Sequence, residues 1–212
     1  MPELPDVEGF RRFFARHARG SRVVRVTAPD PQVLRDTTVQ GLGRALRGRR
    51  FGAPRRHGKW LFAPTDDGPT VVLHFGMTGR LGWSSDGSGR DRHDRLVLVL
   101  DAGELRVNSM RKLGGAWLAR RERDLADITG PLGPDALSVT RDQLAARLAG
   151  RRGGVKSALM DQAVVAGPGN LVADETLWRA RVHPRRPAAS LSADELAAVH
   201  RSLREVLEGA VP

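Results

Sequence analysis

At 212 residues with 40% hydrophobic content, the chain is long enough to bury the core of one large domain or two small ones. Thirty-five basic against 24 acidic residues leave a net charge of +11, which suits a polyanionic partner, nucleic acid first and an anionic membrane second. The lack of cysteine excludes disulfides and cysteine-ligated zinc within the chain; no apolar run approaches the roughly 20 residues of a spanning helix, and the N-terminus is acidic where a signal peptide is cationic, so a soluble intracellular protein is expected.

The chain opens MPELPDVEGF. Once Met1 is removed, Pro2 presents a free secondary amine beside the Glu3 carboxylate, a nucleophile next to a proton carrier; a proline that merely stiffens the terminal tail is the other reading. From Asp6 to Arg19, Val7, Phe10, Phe13 and Phe14 recur at helical spacing and predict an amphipathic helix. Short apolar runs follow, SRVVRVTA, KWLFAP, TVVLHFGM, RLVLVLDA, ELRVNSM and GAWLAR, separated by Gly, Pro and Asp. Such frequent short strands predict an antiparallel sandwich or barrel, with hairpin turns at DDG and DAG. SSDGSGRDRHD has the composition of a mobile polar loop.

Around ITGPLGPDALS the pattern changes to helical periodicity, which sets a domain boundary between residues 1–130 and 131–212. TRDQLAARLAG predicts a helix with Thr140 as N-cap, GVKSALMDQ a second and NLVADETLWRARV a third; the last begins at SADE, where Ser192 and Glu195 have capping-box spacing. The turn Gly167-Pro168-Gly169 directly before a helix points its first N–H groups outward, a natural seat for phosphate, to which Asn170 adds a donor and Lys156 a full charge; a bare helix linker is the alternative. Lys59, Lys112 and Lys156 are the only lysines in a chain otherwise basic through arginine. A lysine kept in such a composition is needed as a compact ammonium or survives by chance.

MPELPDVE, RRHGKWLF, VVLHFGMTGRL and GPGNLVADETLWRARVHPRRPA, in this order, resemble the formamidopyrimidine-DNA glycosylase and endonuclease VIII family, and PELP resembles the formamidopyrimidine branch. The resemblance runs from residue 1 almost to residue 212. It implies an α+β fold, an N-terminal catalytic β-sandwich with a flanking helix followed by a helical domain with a helix-two-turn-helix motif. It also implies a base-excision repair glycosylase with abasic-site lyase activity, acting on double-stranded DNA that carries modified bases or abasic sites. Pro2 matches the nucleophile, Glu3 the proton shuttle and Lys59 a phosphate contact that assists proton transfer. Met77 matches a wedge that fills the space of an everted nucleotide, Arg111 its partner facing the orphaned base, and His93 a phosphate contact. No cofactor, metal site or membrane is implied, and a monomer in the bacterial cytoplasm at the nucleoid is expected.

Two departures stand out. NSMRKLGG keeps Arg111 but puts Leu113 where an aromatic wedge would stack. After VLEGAVP the family continues into a zinc finger or zincless hairpin, so the chain is expected to be either a piece of a longer protein or a short form lacking that clamp, its arginines then compensating through phosphate contacts. The missing segment leaves two alternatives open: a damage-recognition protein without turnover or with lyase activity only, and a glycosylase for bulky or alkylated purines.

Overall fold

The structure, a computed structural model, describes residues 1–66 and 68–212. Its contacts form two units: Met1–Pro2 with Val7–Arg56 and Trp60–Gly130, and Glu3–Asp6 with His57–Lys59 and Pro131–Pro212.

The first helix, α1 (Leu4–His17), starts two residues before the apolar periodicity predicts, because the Asp6 carboxylate turns back to accept the Glu3 N–H at 2.8 Å. In the first unit it contributes Val7 and Phe14, both fully buried; Phe14 meets Phe51 edge-on at 5.1 Å. Glu8, on the same helix, receives Arg11, Arg12 and, from the strand Arg55–His57, Arg56 at 3.2 Å. Burial alone would raise its carboxyl, but the three guanidiniums outweigh that and hold it below the usual carboxylate range.

Among the described residues, eight strands build two sheets: β1 (Val23–Thr27), β2 (Arg55–His57), β3 (Trp60–Pro64), β4 (Thr70–His74), β5 (Arg80–Ser84), β6 (Asp94–Leu100), β7 (Gly103–Asn108) and β8 (Gly115–Ala119). Their orders are β1-β6-β7-β5 and β2-β3-β4-β8. Leu61, Val71 and Leu73 of one sheet and Leu96, Leu98 and Leu105 of the other share one buried cluster, so the sheets form the expected sandwich. Each such side chain contributes about 1.5–3 kcal/mol on burial. Helix α2 (Val39–Leu46) closes this core with Leu42 and Leu46, and α3 (Asp124–Thr129) lays Leu125 and Ile128 against the small cluster of Phe62, Val72 and Ala119. DAG makes the β6–β7 hairpin, with Leu100 opposite Gly103. DDG joins the antiparallel β3 and β4, but Asp67 lies outside the described residues.

The loop SSDGSGRDRHD is not the loose segment its composition predicts. Arg106, buried on β7, donates to the carbonyls of Ser88 and Gly89 at 2.8 and 3.0 Å, and Arg90 pairs with Glu104 at 2.8 Å. Asp86, which accepts from Ser88 and Ser84, has its carboxyl lowered to about 2 by those hydrogen bonds.

The second unit is helical: α4 (Arg141–Leu148), α5 (Val155–Met160), α6 (Asn170–Ala180) and α7 (Ala193–Ala210). Thr140 with Gln143 and Ser192 with Glu195 form complete capping boxes, so both helix starts lie where the sequence sets them. Leu144, Leu159, Leu177, Val199 and Leu203 bury one face of each helix in a common core, which also takes Leu4. No helix is long and apolar enough to cross a membrane among the described residues.

Candidate active site and nucleic-acid interface

Glu3 is only 5% exposed, and its carboxylate accepts three backbone N–H groups at the start of α6: Gly169 at 2.7 Å, Leu171 at 2.9 Å and Val172 at 3.1 Å. The Gly-Pro-Gly turn makes this approach feasible. A Cβ on Gly169 would stand 2.5 Å from the Glu3 carboxyl carbon, and one on Gly167, whose φ is +126°, would collide with Leu4. Gln162 fixes the turn from the other side, accepting the Gly167 N–H and donating to the Pro168 carbonyl, both at 2.9 Å. Sequence reasoning missed Gln162, because a lone glutamine between helices carries no local signal.

The same geometry narrows one expectation. Three N–H groups of the α6 start, those of Gly169, Leu171 and Val172, are taken by the Glu3 carboxylate, an internal anion suited to the positive end of the helix; the Asn170 N–H is not among them. Asn170 keeps an exposed side chain beside this cap. Lys156, on α5, pairs with Asp174 of α6 at 2.7 Å, so part of its charge is neutralised within the unit.

Lys59 follows Gly58 in the two-residue connection between β2 and β3. Gly58 has φ +55°, its N–H donates to Asp135 at 2.7 Å, and a Cβ there would approach Ala166 to 2.8 Å, so only glycine fits this tip. His57 bonds the Gly133 carbonyl at 2.8 Å on the preceding side. Partial burial pushes the Lys59 ammonium below the ordinary lysine value, and the nearby Glu3 carboxylate pulls it partly back. Glu3 and Lys59 are therefore brought together, and Pro2 is bonded directly to Glu3.

In the first unit, Met77 sits 41% exposed in the turn between β4 and β5, and Leu113 is 54% exposed in the loop between β7 and β8. The two segments touch: a Cβ on Gly76, at φ +58°, would collide with the Leu113–Gly114 backbone, and the Arg111 N–H donates to Thr78 Oγ1 at 3.1 Å. Arg111 is exposed on the same loop, and so is Met110, 56% exposed, which sequence reasoning passed over. His93 is held by Asp91 at 3.1 Å, and its carbonyl accepts the Ser109 N–H at the base of the loop. Met77, Arg111, Leu113 and His93 thus belong to one corner of the sandwich. Among the described residues no group of three or more His, Asp or Glu is placed to hold a metal.

Residues 1–116 match the family model of the formamidopyrimidine-DNA glycosylase N-terminal domain, and residues 132–212 that of the formamidopyrimidine-DNA glycosylase H2TH domain. The chain is 39% identical over 217 residues to a formamidopyrimidine-DNA glycosylase of Roseiflexus sp. (strain RS-1), covering all of this chain and 78% of that one. With the enzyme of that name from Desulfitobacterium hafniense it shares 35% over 211 residues, 98% of this chain and 77% of the relative. Among solved structures it superimposes with a TM-score of 0.92 and 27% identity on the Lactococcus lactis Fpg in complex with DNA containing an abasic site, covering 99% of this chain and 78% of that one. The same Fpg bound to DNA containing N7-benzyl-Fapy-dG gives the same TM-score and identity. Matched along both units, the chain belongs to the formamidopyrimidine-DNA glycosylase family.

Proposed function

We propose that the chain is a DNA repair glycosylase with abasic-site lyase activity, working through a Schiff base on Pro2 once Met1 has been removed. The observation that carries this reading is the Glu3 carboxylate, fixed by three N–H groups next to Pro2 and close to Lys59. While Met1 is attached, the Pro2 nitrogen is an amide and inert. Free, it is a secondary α-amine with a usable lone pair near neutrality. It attacks C1′ of the damaged nucleotide, and the glycosidic bond breaks with its electron pair on the base, which takes a proton from water. The proton on the Pro2 nitrogen passes to the Glu3 carboxylate and from it to the ring oxygen as the C1′–O4′ bond opens, leaving an iminium between Pro2 and C1′. The iminium acidifies C2′; loss of that proton expels the 3′ phosphate, and water then releases Pro2. Lys59 supplies a compact cation for a phosphate beside the lesion. Met77, Arg111 and Leu113 fill the stack that the everted nucleotide leaves, recovering part of the few kcal/mol that eversion costs. Damaged or abasic duplex DNA is the partner, the protein acts as a monomer, and it works in the cytoplasm at the nucleoid.

Borohydride trapping on a duplex with one abasic site, combined with intact mass, tests this. A covalent adduct on Pro2 is expected from protein that has lost Met1. Measurable DNA binding without an adduct, from protein with a free Pro2, would replace the lyase by a damage-recognition role.

A further inference from the structure

Strand β1 carries a register shift between Val23 and Arg25, so Val24 and Arg25 are both exposed instead of alternating. Facing this edge, α2 buries Leu42 and Leu46 and turns Gln40, Gly43 and Arg44 outward, with Arg47 as its C-cap. Between them lies a groove of about 600 Å³ on a floor of Val26 and Val39, lined by Arg25, Arg44 and Arg47.

None of these three guanidiniums has a carboxylate or carbonyl partner among the described residues. Their neighbours differ. Arg22 and Arg50 reach Asp101, and Arg49 donates to the carbonyls of Ala45 and Asp66. Arg44 and Arg47 suit the negative end of α2, but that does not account for Arg25, which stands on another element. Gly43 is also unexplained by the fold: it sits inside a helix, where alanine is more favourable, and a Cβ there would meet nothing within 4 Å. The missing side chain leaves the groove open at this point.

We propose that this groove is an anion site for consecutive phosphates, either a stretch of phosphodiester backbone or a soluble polyphosphate chain. Guanidinium forks bind phosphate oxygens in pairs, and three of them on two elements bracket more than one phosphate. The site is separate from the wedge. Arg25 lies opposite Val99, Val99 opposite Glu104 and Glu104 opposite Ser84, three strands across the sheet, while Arg80, next to the Met77 turn, is four residues further along β5. With ordinary strand spacing and rise, that is roughly 20 Å.

The test uses the full chain and the variant R44Q/R47Q, with unfolding temperature as the check on folding. Tripolyphosphate binding is measured by calorimetry, and binding of an undamaged duplex across a salt series by anisotropy. If the backbone of DNA is the ligand, the slope of log K against log salt becomes shallower by about two. If a soluble polyphosphate is the ligand, that slope is unchanged and tripolyphosphate affinity falls about tenfold or more. If both measurements match the wild type, the proposal is overturned. Should the double variant fail to fold, Gly43→Ala carries the test alone: it keeps every charge, and weaker binding of either probe supports the groove, whereas unchanged binding of both overturns it.

Discussion

A carboxylate that accepts three backbone N–H groups is sensitive to shifts smaller than a bond length. Gly169→Ala places a methyl group 2.5 Å from the Glu3 carboxyl carbon, so either the carboxylate or the α6 turn must move. Leaving one or two buried N–H groups unsatisfied costs about 1–3 kcal/mol each. The variant is therefore expected to melt several degrees lower and to lose base excision together with stability, measured by thermal unfolding and a nicking assay on lesion DNA. Lys59 has a different signature. Its native pKa lies below its unfolded one because of burial, so the unfolded chain binds more protons between the two values, and stability rises with pH across that window. The cost of the buried charge is full at neutral pH. Lys59→Met removes it and is expected to melt above the wild type at pH 7, the difference closing as pH approaches 10.5; equal melting temperatures throughout would refute it. The sequence marked both residues by position and type, but the partners of Glu3 lie 166 to 169 residues away, and no local pattern names them.

Between these single groups and the fold stands the loop from Ser109 to Gly114, whose exposed middle is held by side chains from other elements. Arg35 donates to the carbonyls of Lys112 and Gly114, and Arg95 to that of Ser109. Lys112, at φ +53°, ties its own ammonium to Asp30 and Gln32 at 3.0 and 2.6 Å. The ammonium that the composition singled out at this position is thus a structural pin. With the base fixed, Leu113 projects without supporting the core, so Leu113→Ala is expected to leave the unfolding free energy within about 0.5 kcal/mol of the wild type, read by thermal unfolding. Affinity for abasic duplex should fall about tenfold, the loss of roughly 1.4 kcal/mol of apolar contact, read by anisotropy. A variant that melts early would place Leu113 in the fold and not in the wedge. Strands with β-branched alternation and helices with capping boxes were legible in the sequence. Strand β5, with Arg-Leu-Gly-Trp-Ser, was not, since its pairing with β7 comes from the sheet. The polar loop before β6 was misread because its order comes from Arg106, a residue 17 and 18 positions away from the carbonyls it binds.

Across the molecule, the +11 excess does not say which cations are left to meet a partner. Many arginines are spent internally: Arg56 on Glu8, Arg106 on Glu104, Arg151 on Asp161, Arg186 on Glu195 and Arg204 on Glu208. Those pairs are satisfied within the fold and release no counterions when DNA binds. Composition gave the sign of the partner's charge, and the ion-pair pattern indicates which cations are free to meet it, since each pair removes one cation together with one anion. If the free cations neutralise about six phosphates, log K for an undamaged duplex falls with log salt at a slope near −5, roughly a thousandfold between 50 and 200 mM. A slope near −10 would mean that the internal pairs open to engage DNA. A nearly flat dependence would mean that the excess faces away from the duplex, and that lesion binding rests on the wedge and the Pro2 chemistry alone.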